Sequence, residues 1–408
     1  MKILFLADNF PPETNAAATR VYERAVHWVA WGHEVTVVTS FPNFPQGKLH
    51  AGYRNLWRRA ETIDGIRVVR VKTFIAPNKG GALRRALDFL SFMVTGTVAA
   101  LAERRPDVVV ATSPQFFAAV AGWLVGALKR FPFVFELGDI WPASIVGVGA
   151  MRRNPLLALM EKIELFLYRR AARVVALTRA FKENLTGRGI DPGKIAVVRN
   201  GVDLGRYAPR PRDAGLAAEW GLAGKFVIGY VGTHGMAHGL GNVLDAAERA
   251  RAREDIRFLL VGDGAERETL VADAARRKLA NVRLIGPQPK EAMPRVWSLV
   301  DAALVHLRDS PVFAEVIPSK IFEAMAMGKP ILLAAPKGEA KEIVEGDGAG
   351  LWVPPGDPEA LAAAARRLAD DAALRERLAA AALRAAPSHS RRAQAEEMIA
   401  VLESAIRR

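Results

Sequence analysis

The spacing of apolar and polar positions alternates between two patterns along the first 200 residues, and these patterns predict strands and helices in turn. Short runs rich in β-branched residues are typical of buried strands, and apolar residues three or four positions apart predict the helices between them. The predicted strands are Ile3–Ala7, Val35–Thr39, Ile66–Val71, Val108–Ala111, Phe133–Glu136 and Arg173–Leu177, and the predicted helices are Thr19–Trp31, Leu83–Arg104, Phe116–Arg130 and Leu156–Ala171. This alternation predicts an α/β fold with a doubly wound parallel sheet.

The same alternation begins again after a break near residue 200. Asn200-Gly201-Val202-Asp203 forms a predicted turn, and the stretch that follows to about Arg212 has little periodicity, so it is the predicted linker. Later strands are predicted near Phe226, at Arg257–Val261, Val282–Ile285, Ala302–His306, Ile331–Ala334 and Leu351–Val353. The sequence therefore predicts one domain over 1–200, a second over 201–386, and a terminal helix over 387–408 that packs back on the first domain or ends on the second.

Length and composition agree with two globular domains. A chain of 408 residues is too long for one ordinary core, and half of its residues are apolar. It has no cysteine, which excludes disulfides and Cys-ligated metal sites and fits a reducing, cytoplasmic compartment. The apolar run at the start is too short for a signal peptide, so it is interpreted as a first strand.

The positive charge is concentrated in the first half of the chain. Residues 1–200 hold 28 Lys and Arg against 15 Asp and Glu, whereas 201–408 hold 29 against 28. This excess is either a compositional bias or an attraction to an anionic membrane surface. Nucleic acid is not expected, because no zinc-finger spacing or RNP-type aromatic sequence is present. The apolar run Phe89–Ala102 predicts a buried helix, with an interfacial membrane helix as the alternative.

Two carboxylates eight positions apart, Glu315 and Glu323, flank a Pro-Ser break in the second half. Ser319 is the predicted N-cap of a helix that ends at Gly328, so Glu315 is expected in the preceding loop and Glu323 in the early turns. Unpaired backbone N–H groups and Lys320 lie between the two acids, an arrangement suited to a phosphate. This stretch predicts a site for a phosphorylated, polyhydroxylated ligand.

Two further segments follow predicted strands directly. Asp139 comes after a buried strand and before a Trp-Pro turn. A carboxylate there can take a proton or a hydrogen bond from a substrate hydroxyl; the alternative is an N-cap for the next segment.

The glycines from Gly229 to Gly235 are spaced G-x-x-G-x-x-G, which is not the dinucleotide fingerprint. A strand followed by glycines and a helix still suits a phosphate.

These features together resemble the GT-B glycosyltransferases, and specifically glycosyltransferase family 4. The motifs that carry the resemblance are the Phe10-Pro11-Pro12 loop, Asn200-Gly201-Val202-Asp203, Gly262-Asp263-Gly264 with Arg267-Glu268, and the block from Pro318-Ser319-Lys320 through Glu323 to Gly328-Lys329-Pro330. Within the family, Asp139-Ile140-Trp141-Pro142 and the segment 230–239 are similar to bacterial transferases of N-acetylfucosamine or related aminosugars in surface-polysaccharide assembly.

The resemblance implies two Rossmann-like domains that face a central cleft, with the nucleotide sugar on the second domain and the acceptor on the first. By that resemblance Glu323 would hold the ribose, Glu315 would contact the donor sugar, and Asp139 would act on the acceptor. The other implied donor-binding residues are Lys320, Ser319, Ile321, Gly232, His234, Gln288 and Asn15.

Family members retain the anomeric configuration and need no metal, and the sequence contains no D-x-D pair. The implied reaction moves a sugar from a UDP-sugar to a lipid-linked or saccharide acceptor. A UDP-sugar 2-epimerase of similar architecture and a catalytically silent sugar-nucleotide-binding partner are the alternatives.

Two departures from the family pattern affect donor binding. Many members carry an Arg and a Lys after the second-domain glycines, but no Arg or Lys occurs from Tyr230 to Glu248, where His234 and His238 stand instead. Lys320 is then expected to carry more of the diphosphate charge. Asn15 stands where glycine is common, and it is expected to preserve the loop because Asn tolerates a left-handed backbone.

Overall fold

A computed structural model describes residues 1–44, 46–76, 82–113, 116–140 and 154–407, and the chain divides into two compact units. One unit comprises Met1–Asn200 with Arg391–Arg408, and the other comprises Gly201–Ser390. The second unit therefore extends to Ser390 rather than 386. The terminal helix belongs to the first unit, which decides between the two placements that the sequence left open.

The first unit is built on a sheet of eight strands within the described residues. The strands are β1 (Lys2–Leu6), β2 (Glu34–Ser40), β3 (Arg58–Ile63), β4 (Ile66–Val71), β5 (Val108–Thr112), β6 (Phe133–Leu137), β7 (Arg173–Ala176) and β8 (Ile195–Val197). Their order is β3-β4-β2-β1-β5-β6-β7-β8, parallel except for β3. The hydrophobic pattern missed β3 because this edge strand is largely exposed and reads Arg-Arg-Ala-Glu-Thr-Ile.

Helices connect these strands and cover the sheet. In the first unit they are α1 (Ala16–Ala30), α2 (Ala82–Ala102), α3 (Phe116–Lys129), α4 (Pro155–Arg170) and α5 (Arg179–Gly187). The buried apolar residues of β1 and β2 pack with Trp28 of α1 into one core. Both strands are largely buried, as is usual for parallel strands that are covered on both faces.

The second unit has a sheet of six parallel strands among the residues described. The strands are β9 (Phe226–Val231), β10 (Ile256–Val261), β11 (Val282–Ile285), β12 (Ala302–His306), β13 (Ile331–Ala334) and β14 (Gly350–Val353). The helices are α6 (Ala214–Glu219), α7 (Gly241–Arg249), α8 (Arg267–Arg276), α9 (Met293–Ser298), α10 (Pro311–Ala314), α11 (Lys320–Ala326), α12 (Glu339–Gly346), α13 (Pro358–Asp370) and α14 (Ala372–Ala385).

The last helix, α15 (Arg391–Ile406), completes the core of the first unit. Met398 and Leu402 of α15 are fully buried in that core. Polar contacts fix the start of the helix: the Trp28 indole N–H donates to the Ala395 carbonyl at 3.0 Å, and Arg391 pairs with the buried carboxylate of Glu23 at 2.9 Å. Because an unpaired buried carboxylate or guanidinium is costly, these contacts fix the position of α15 against α1.

Strand order reverses in each sheet, and such reversals are common positions for ligands in doubly wound sheets. In the second sheet the order is β11-β10-β9-β12-β13-β14, so the reversal lies between β9 and β12. In the first sheet it lies between β1 and β5. Ligands of doubly wound sheets bind outside the carboxyl ends of the strands at such points. A ligand site is therefore expected at the residues that follow β9 and β12.

The helix predicted as buried, α2, is buried on one face only. Phe92, Ala99 and Ala100 are buried, whereas Leu87, Leu90, Val94 and Val98 are exposed. Within the described residues, Arg84–Ala102 is the one helical segment long and apolar enough to cross a membrane by length and composition, and 22% of its apolar window is buried.

Candidate functional site

Gly232 and Lys320 meet at the carboxyl edge of the second sheet. Gly232 follows β9 with φ +141°, and a Cβ at this position would lie 2.9 Å from the ammonium nitrogen of Lys320. Lys320 is the first residue of α11, 88 positions later in the chain. A side chain at position 232 would be strained and would displace the lysine, so glycine here leaves space for the ammonium group.

The Lys320 ammonium is buried without a hydrogen-bond partner among the described residues. It lies 3.6 Å from the centre of the Tyr230 ring, a cation–π contact with an aromatic side chain of β9. Burial lowers the pKa of Lys320 to about 7, although the nearby Glu323 carboxylate acts to raise it. An ammonium that lacks a counter-ion at hydrogen-bond distance is costly, and binding of an anion would remove that cost.

His234 and His238 surround the same ring. Their ring centres lie 6.0 and 5.9 Å from that of Tyr230. His234 is fully buried, and neither of its ring nitrogens has a hydrogen-bond partner in the part of the chain described. Burial, followed by the charges of Arg267 and Lys320, lowers the pKa of His234 to about 4. The histidines are therefore neutral at pH 7 and offer polar N–H groups rather than the charge of an Arg/Lys clamp.

The loop that carries His234 is hydrogen-bonded to the segment that follows β10. The His234 amide donates to the Asp263 carbonyl at 2.8 Å, and the His234 carbonyl accepts from the Glu266 amide at 2.9 Å. Gly262 and Gly264, at φ +148° and +157°, pass so close to this loop that a Cβ on either would collide with its backbone. The Gly262-Asp263-Gly264 motif thus positions the histidine loop.

His306 fixes the far end of the same loop. It is the last residue of β12, and its Nδ1 lies 2.6 Å from the His238 carbonyl, which can only accept a hydrogen bond. Nδ1 therefore carries the proton, and Nε2 accepts from the Asn242 amide at 2.8 Å. Burial lowers the pKa of His306 to about 4, so this neutral tautomer persists through the physiological range.

Glu323 is held by a tryptophan from another helix. The indole N–H of Trp297, a fully buried residue of α9, donates to Glu323 Oε2 at 3.2 Å. Glu323 lies in the first turn of α11, as predicted. One carboxylate oxygen is thereby oriented by the core of the unit. A carboxylate fixed in this way can accept hydrogen bonds from vicinal hydroxyl groups.

Glu315 is half-buried and lies in the segment before α11, as predicted, where it forms the C-cap of the short helix α10. The pattern missed α10 because this helix spans only Pro311–Ala314. A Cβ on Gly338 would collide with the carbonyl oxygen of Ala314, the last residue of α10, so α10 packs directly against the backbone at Gly338. The acid is thus carried on a short helix packed against a neighbouring turn.

The start of α11 differs in detail from the prediction. Ser319 occupies the N-cap position, but its side chain makes no capping hydrogen bond. The Ile321 N–H, expected to be unpaired, donates to the Pro318 carbonyl at 3.1 Å, and the Ile321 side chain is in the core. Gln288 lies after β11, where its amide donates to the Gly286 carbonyl at 3.3 Å. Lys320 is therefore the charged group that α11 presents beside Gly232.

Asp139 lies two residues after β6 in the first unit, at the carboxyl end of the sheet as predicted. Its amide lies 3.4 Å from the Ser113 hydroxyl, which follows β5. The Asp139 side chain is half-exposed. The alternative, an N-cap for the next segment, concerns residues 141–153 and lies outside the described residues, as do Trp141 and Pro142.

A buried charge cluster supports this edge, and sequence reasoning missed it. Glu136, fully buried in β6, pairs with Arg24 at 2.7 Å and Arg20 at 3.0 Å. Burial alone would raise the pKa of Glu136, but Arg24 and Arg20 hold it at about 2. Two charged residues four positions apart on α1 were the available signal.

Asn15 is the N-cap of α1, and its side chain accepts from the Ala18 amide at 2.9 Å. Its backbone is extended, with φ −66°, so tolerance of a left-handed conformation is not what Asn15 contributes. Its side-chain nitrogen is buried and has no partner among the residues described. The expectation about backbone shape was wrong, and Asn15 caps α1; its contact with the donor stays a prediction.

Family comparisons follow the same division of the chain. Residues 15–201 match the glycosyl transferase 4-like domain, and residues 217–385 match the glycosyl transferases group 1 domain. The probable glycosyltransferase WbjE of Pseudomonas aeruginosa is 30% identical over 296 residues, covering 71% of this chain and 73% of the relative. The chain belongs to glycosyltransferase family 4.

A second relative and a solved structure extend the comparison. The putative colanic acid biosynthesis glycosyl transferase WcaI of Escherichia coli is 27% identical over 378 residues, covering 90% of this chain and 92% of that protein. The crystal structure of Anabaena HepE with UDP-glucose has a TM-score of 0.75 at 20% identity, covering 99% of this chain and 100% of the other. The predicted GT-B fold, family and glycosyltransferase activity are confirmed.

Among the described residues, no group of three or more His, Asp or Glu side chains is placed to hold a metal ion. Beside Gly232, at the carboxyl edge of the second sheet, the Lys320 ammonium lies close to the neutral imidazoles of His234 and His238. Such groups suit an anion.

Proposed function

We propose that this family 4 glycosyltransferase moves an N-acetylated aminosugar from a UDP-sugar to a lipid-linked or saccharide acceptor in surface-polysaccharide synthesis. The reaction retains the anomeric configuration, uses no metal, and takes place at the cytoplasmic face of the membrane. The observation that carries the proposal is the buried Lys320 ammonium, unpaired by any described hydrogen-bond acceptor, beside Gly232.

Lys320 is suited to a diphosphate because its charge is already desolvated. An anion that reaches this group gains a strong charge-assisted hydrogen bond without having to strip water from the ammonium. The bound anion in turn favours the charged form of a lysine whose pKa burial has lowered to about 7. In this scheme Lys320 stabilises the leaving UDP as the bond from the sugar to the diphosphate breaks.

The two acids take the remaining donor groups. Glu323, oriented by Trp297, holds the ribose hydroxyls, and Glu315 accepts from the donor sugar and stabilises positive charge at the anomeric carbon. Ser319 and Gln288 are proposed contacts to the diphosphate and the base. Asp139, on the first unit, takes the proton of the acceptor hydroxyl, whose oxygen bonds to the anomeric carbon as the bond from that carbon to UDP breaks.

One structural neighbour and one relative agree with these substrate classes, whereas a relative from Mycobacterium tuberculosis, 25% identical, is named a GDP-mannose-dependent mannosyltransferase. HepE was crystallised with UDP-glucose, and WcaI is described as a colanic acid biosynthesis transferase. A nucleotide screen tests the donor class: UDP should raise the melting temperature of the full chain, whereas GDP, ADP and NAD should not, because a ligand stabilises the state that it binds. Stabilisation by GDP instead of UDP would contradict the proposed donor.

Turnover without an acceptor distinguishes the alternatives. A UDP-sugar 2-epimerase would convert the donor alone into an isomer, and a silent binding partner would leave the donor unchanged with any acceptor. The proposed transferase should hydrolyse the donor only slowly and release UDP rapidly when a suitable acceptor is added. NMR of the donor and a UDP-release assay on the same samples measure both outcomes.

A further inference from the structure

An exposed apolar stripe runs along α2. Leu87, Leu90, Val94 and Val98 are spaced three or four positions apart, so they share one face of the helix. Their exposed fractions lie between 37% and 64%. The one carboxylate on α2, Asp88, lies about 100° round the helix from Leu87 and is half-buried. The four residues of the stripe are all uncharged.

The opposite face of α2 is bound into the first unit. Phe92, Ala99 and Ala100 are buried, and α2 packs on α3 and on β2 and β4. Just beyond the carboxyl end of α2, the Lys129 ammonium donates to the Glu103 carbonyl at 2.6 Å. A helix packed in this way cannot leave to span a bilayer without exposing that core.

Basic and aromatic side chains frame the stripe. Exposed arginine pairs stand at its two ends, Arg84 with Arg85 and Arg104 with Arg105. Phe74, 46% exposed, donates its amide N–H to the Ser91 hydroxyl at 2.7 Å, and Ser91 lies one turn from Leu87 on the stripe face. Residues 48–105 hold 12 Lys and Arg against 4 Asp and Glu, so most of the chain's positive charge excess comes from this segment.

We propose that α2 lies flat on an anionic lipid bilayer, with the stripe of Leu87, Leu90, Val94 and Val98 in the acyl region and the arginine pairs at the lipid phosphates. An apolar face flanked by basic residues is the arrangement that binds helices parallel to such surfaces. Membrane binding by α2 does not depend on the proposed function. Its benefit to the enzyme does rest on that function, because it would bring the active site to a lipid-linked acceptor.

Charge decides between the candidate occupants of this face. A second copy of the chain would bring the same arginine pairs to the interface, and like charges placed together oppose association. A bilayer rich in anionic lipid neutralises them and receives the apolar side chains at the same time. The lipid surface is therefore the occupant that satisfies both features.

A single labelled cysteine tests the orientation, because the natural chain contains none. Val94→Cys in the full chain carries an environment-sensitive dye, and Val271→Cys on α8, also an exposed valine, is the matched control. Vesicles of phosphatidylglycerol and phosphatidylcholine should shift the emission at position 94 to the blue and leave position 271 unchanged. Equal shifts at both positions, or none at 94, would overturn the proposal.

Removal of the stripe tests its contribution. The combined change Leu90→Ser, Val94→Ser and Val98→Ser should lower partitioning onto these vesicles by about tenfold or more in a flotation assay. The control pair Val271→Ser and Leu383→Ser, exposed residues of the second unit, should bind as the parent does. Unchanged partitioning of the stripe variant would contradict the docking surface.

Three readouts separate the remaining explanations. Arg84→Glu with Arg85→Glu should reduce the preference for anionic over neutral vesicles, and an unreduced preference would overturn the role of the arginines. A blue shift at position 94 that grows with protein concentration in the absence of vesicles would show that a second copy covers the stripe, which also overturns the proposal. UDP affinity, measured in every variant without vesicles, reports on the proposed function separately.

Discussion

The ammonium nitrogen of Lys320 lies 3.6 Å from the centre of the Tyr230 ring, with Gly232 beside it. Tyr230 donates its hydroxyl to the Thr233 carbonyl at 2.7 Å, so the ring is fixed by the loop that it supports. The lysine thus sits on an aromatic surface from which water is excluded. The ammonium has no hydrogen-bond partner among the described residues, and we propose that the donor diphosphate binds to it.

Lys320→Met should weaken UDP-sugar binding and stabilise the protein without ligand. The loss of one charge-assisted hydrogen bond predicts an increase in Kd of about 10- to 100-fold. The ligand-free protein should melt at a higher temperature, because methionine fills the space without the cost of a buried charge. Calorimetry and thermal unfolding measure the two effects. Lys329→Met, whose lysine pKa is also lowered by burial, is the control and should leave Kd unchanged.

Binding of UDP-sugar should take up a proton above neutral pH. Burial lowers the pKa of free Lys320 to about 7, and the diphosphate raises it in the complex, so the charged form binds more tightly. Kd should therefore be nearly constant below pH 7 and rise by up to about tenfold per pH unit above it. Titrations in buffers of different ionisation enthalpy measure the uptake. Persistence of the uptake in Lys320→Met would assign the proton to another group.

Glu315→Gln should strongly reduce the rate of transfer while nucleotide binding persists. Glu315 is proposed to act on charge that develops at the anomeric carbon, so its loss should lower kcat by about 100-fold or more. The Kd for UDP, which lacks the sugar, should change by less than about twofold because this contact lies beyond the nucleotide. Steady-state rates and calorimetry on the same preparation check both values. Glu342→Gln on α12 is the control, and equal losses in both variants would point to a general structural effect.

Trp297→Phe should impair recognition of the ribose. The change keeps an aromatic ring in the core but removes the N–H that orients Glu323. Affinity for UDP should fall by about three- to tenfold, as expected for one lost hydrogen bond. Binding of 2′-deoxy-UDP should fall less, because it already lacks one hydroxyl that Glu323 holds. A uniform loss for both nucleotides would show that Trp297 acts through packing alone.

Asp139→Asn should reduce transfer without affecting the nucleotide site. The residue lies at the carboxyl edge of the first sheet, and the asparagine keeps its size while removing the charge that accepts a proton. The rate with acceptor should fall by about 10²- to 10⁴-fold, with UDP affinity unchanged. Asp191→Asn, a cap that accepts from the Gly193 amide, is the matched control. Full activity of Asp139→Asn would assign Asp139 to a structural role.

Much of the fold was predictable because parallel strands buried on both faces leave a local signature. The runs at Val35–Thr39 and Ala302–His306 consist of apolar or β-branched residues apart from the final histidine, and each lies within a strand of the structure. The edge strand β3 and the four-residue helix α10 left no such signature, since neither buries a continuous apolar face. Periodicity finds elements only where burial imposes it.

The spacing of Glu315 and Glu323 and the glycines after β9 were also visible in the sequence, since they depend on local turns and on one helix start. The sequence placed Glu323 in the first turn of α11, and the structure agrees. It indicated the missing Arg/Lys clamp as well, because that absence concerns residue types alone. Such features need no knowledge of which distant residues become neighbours.

Contacts between distant residues were decided only by the tertiary structure. Gly232 and Lys320 are neighbours because crossover helices bring the carboxyl ends of β9 and β12 to one edge, and burial at that edge is what lowers the pKa of the lysine. The return of α15 to the first unit and the exposure of Leu90 and Val94 on α2 likewise depend on which faces find partners. Desolvation and packing are properties of the assembled neighbourhood, whereas the pattern of strands and turns belongs to the chain itself.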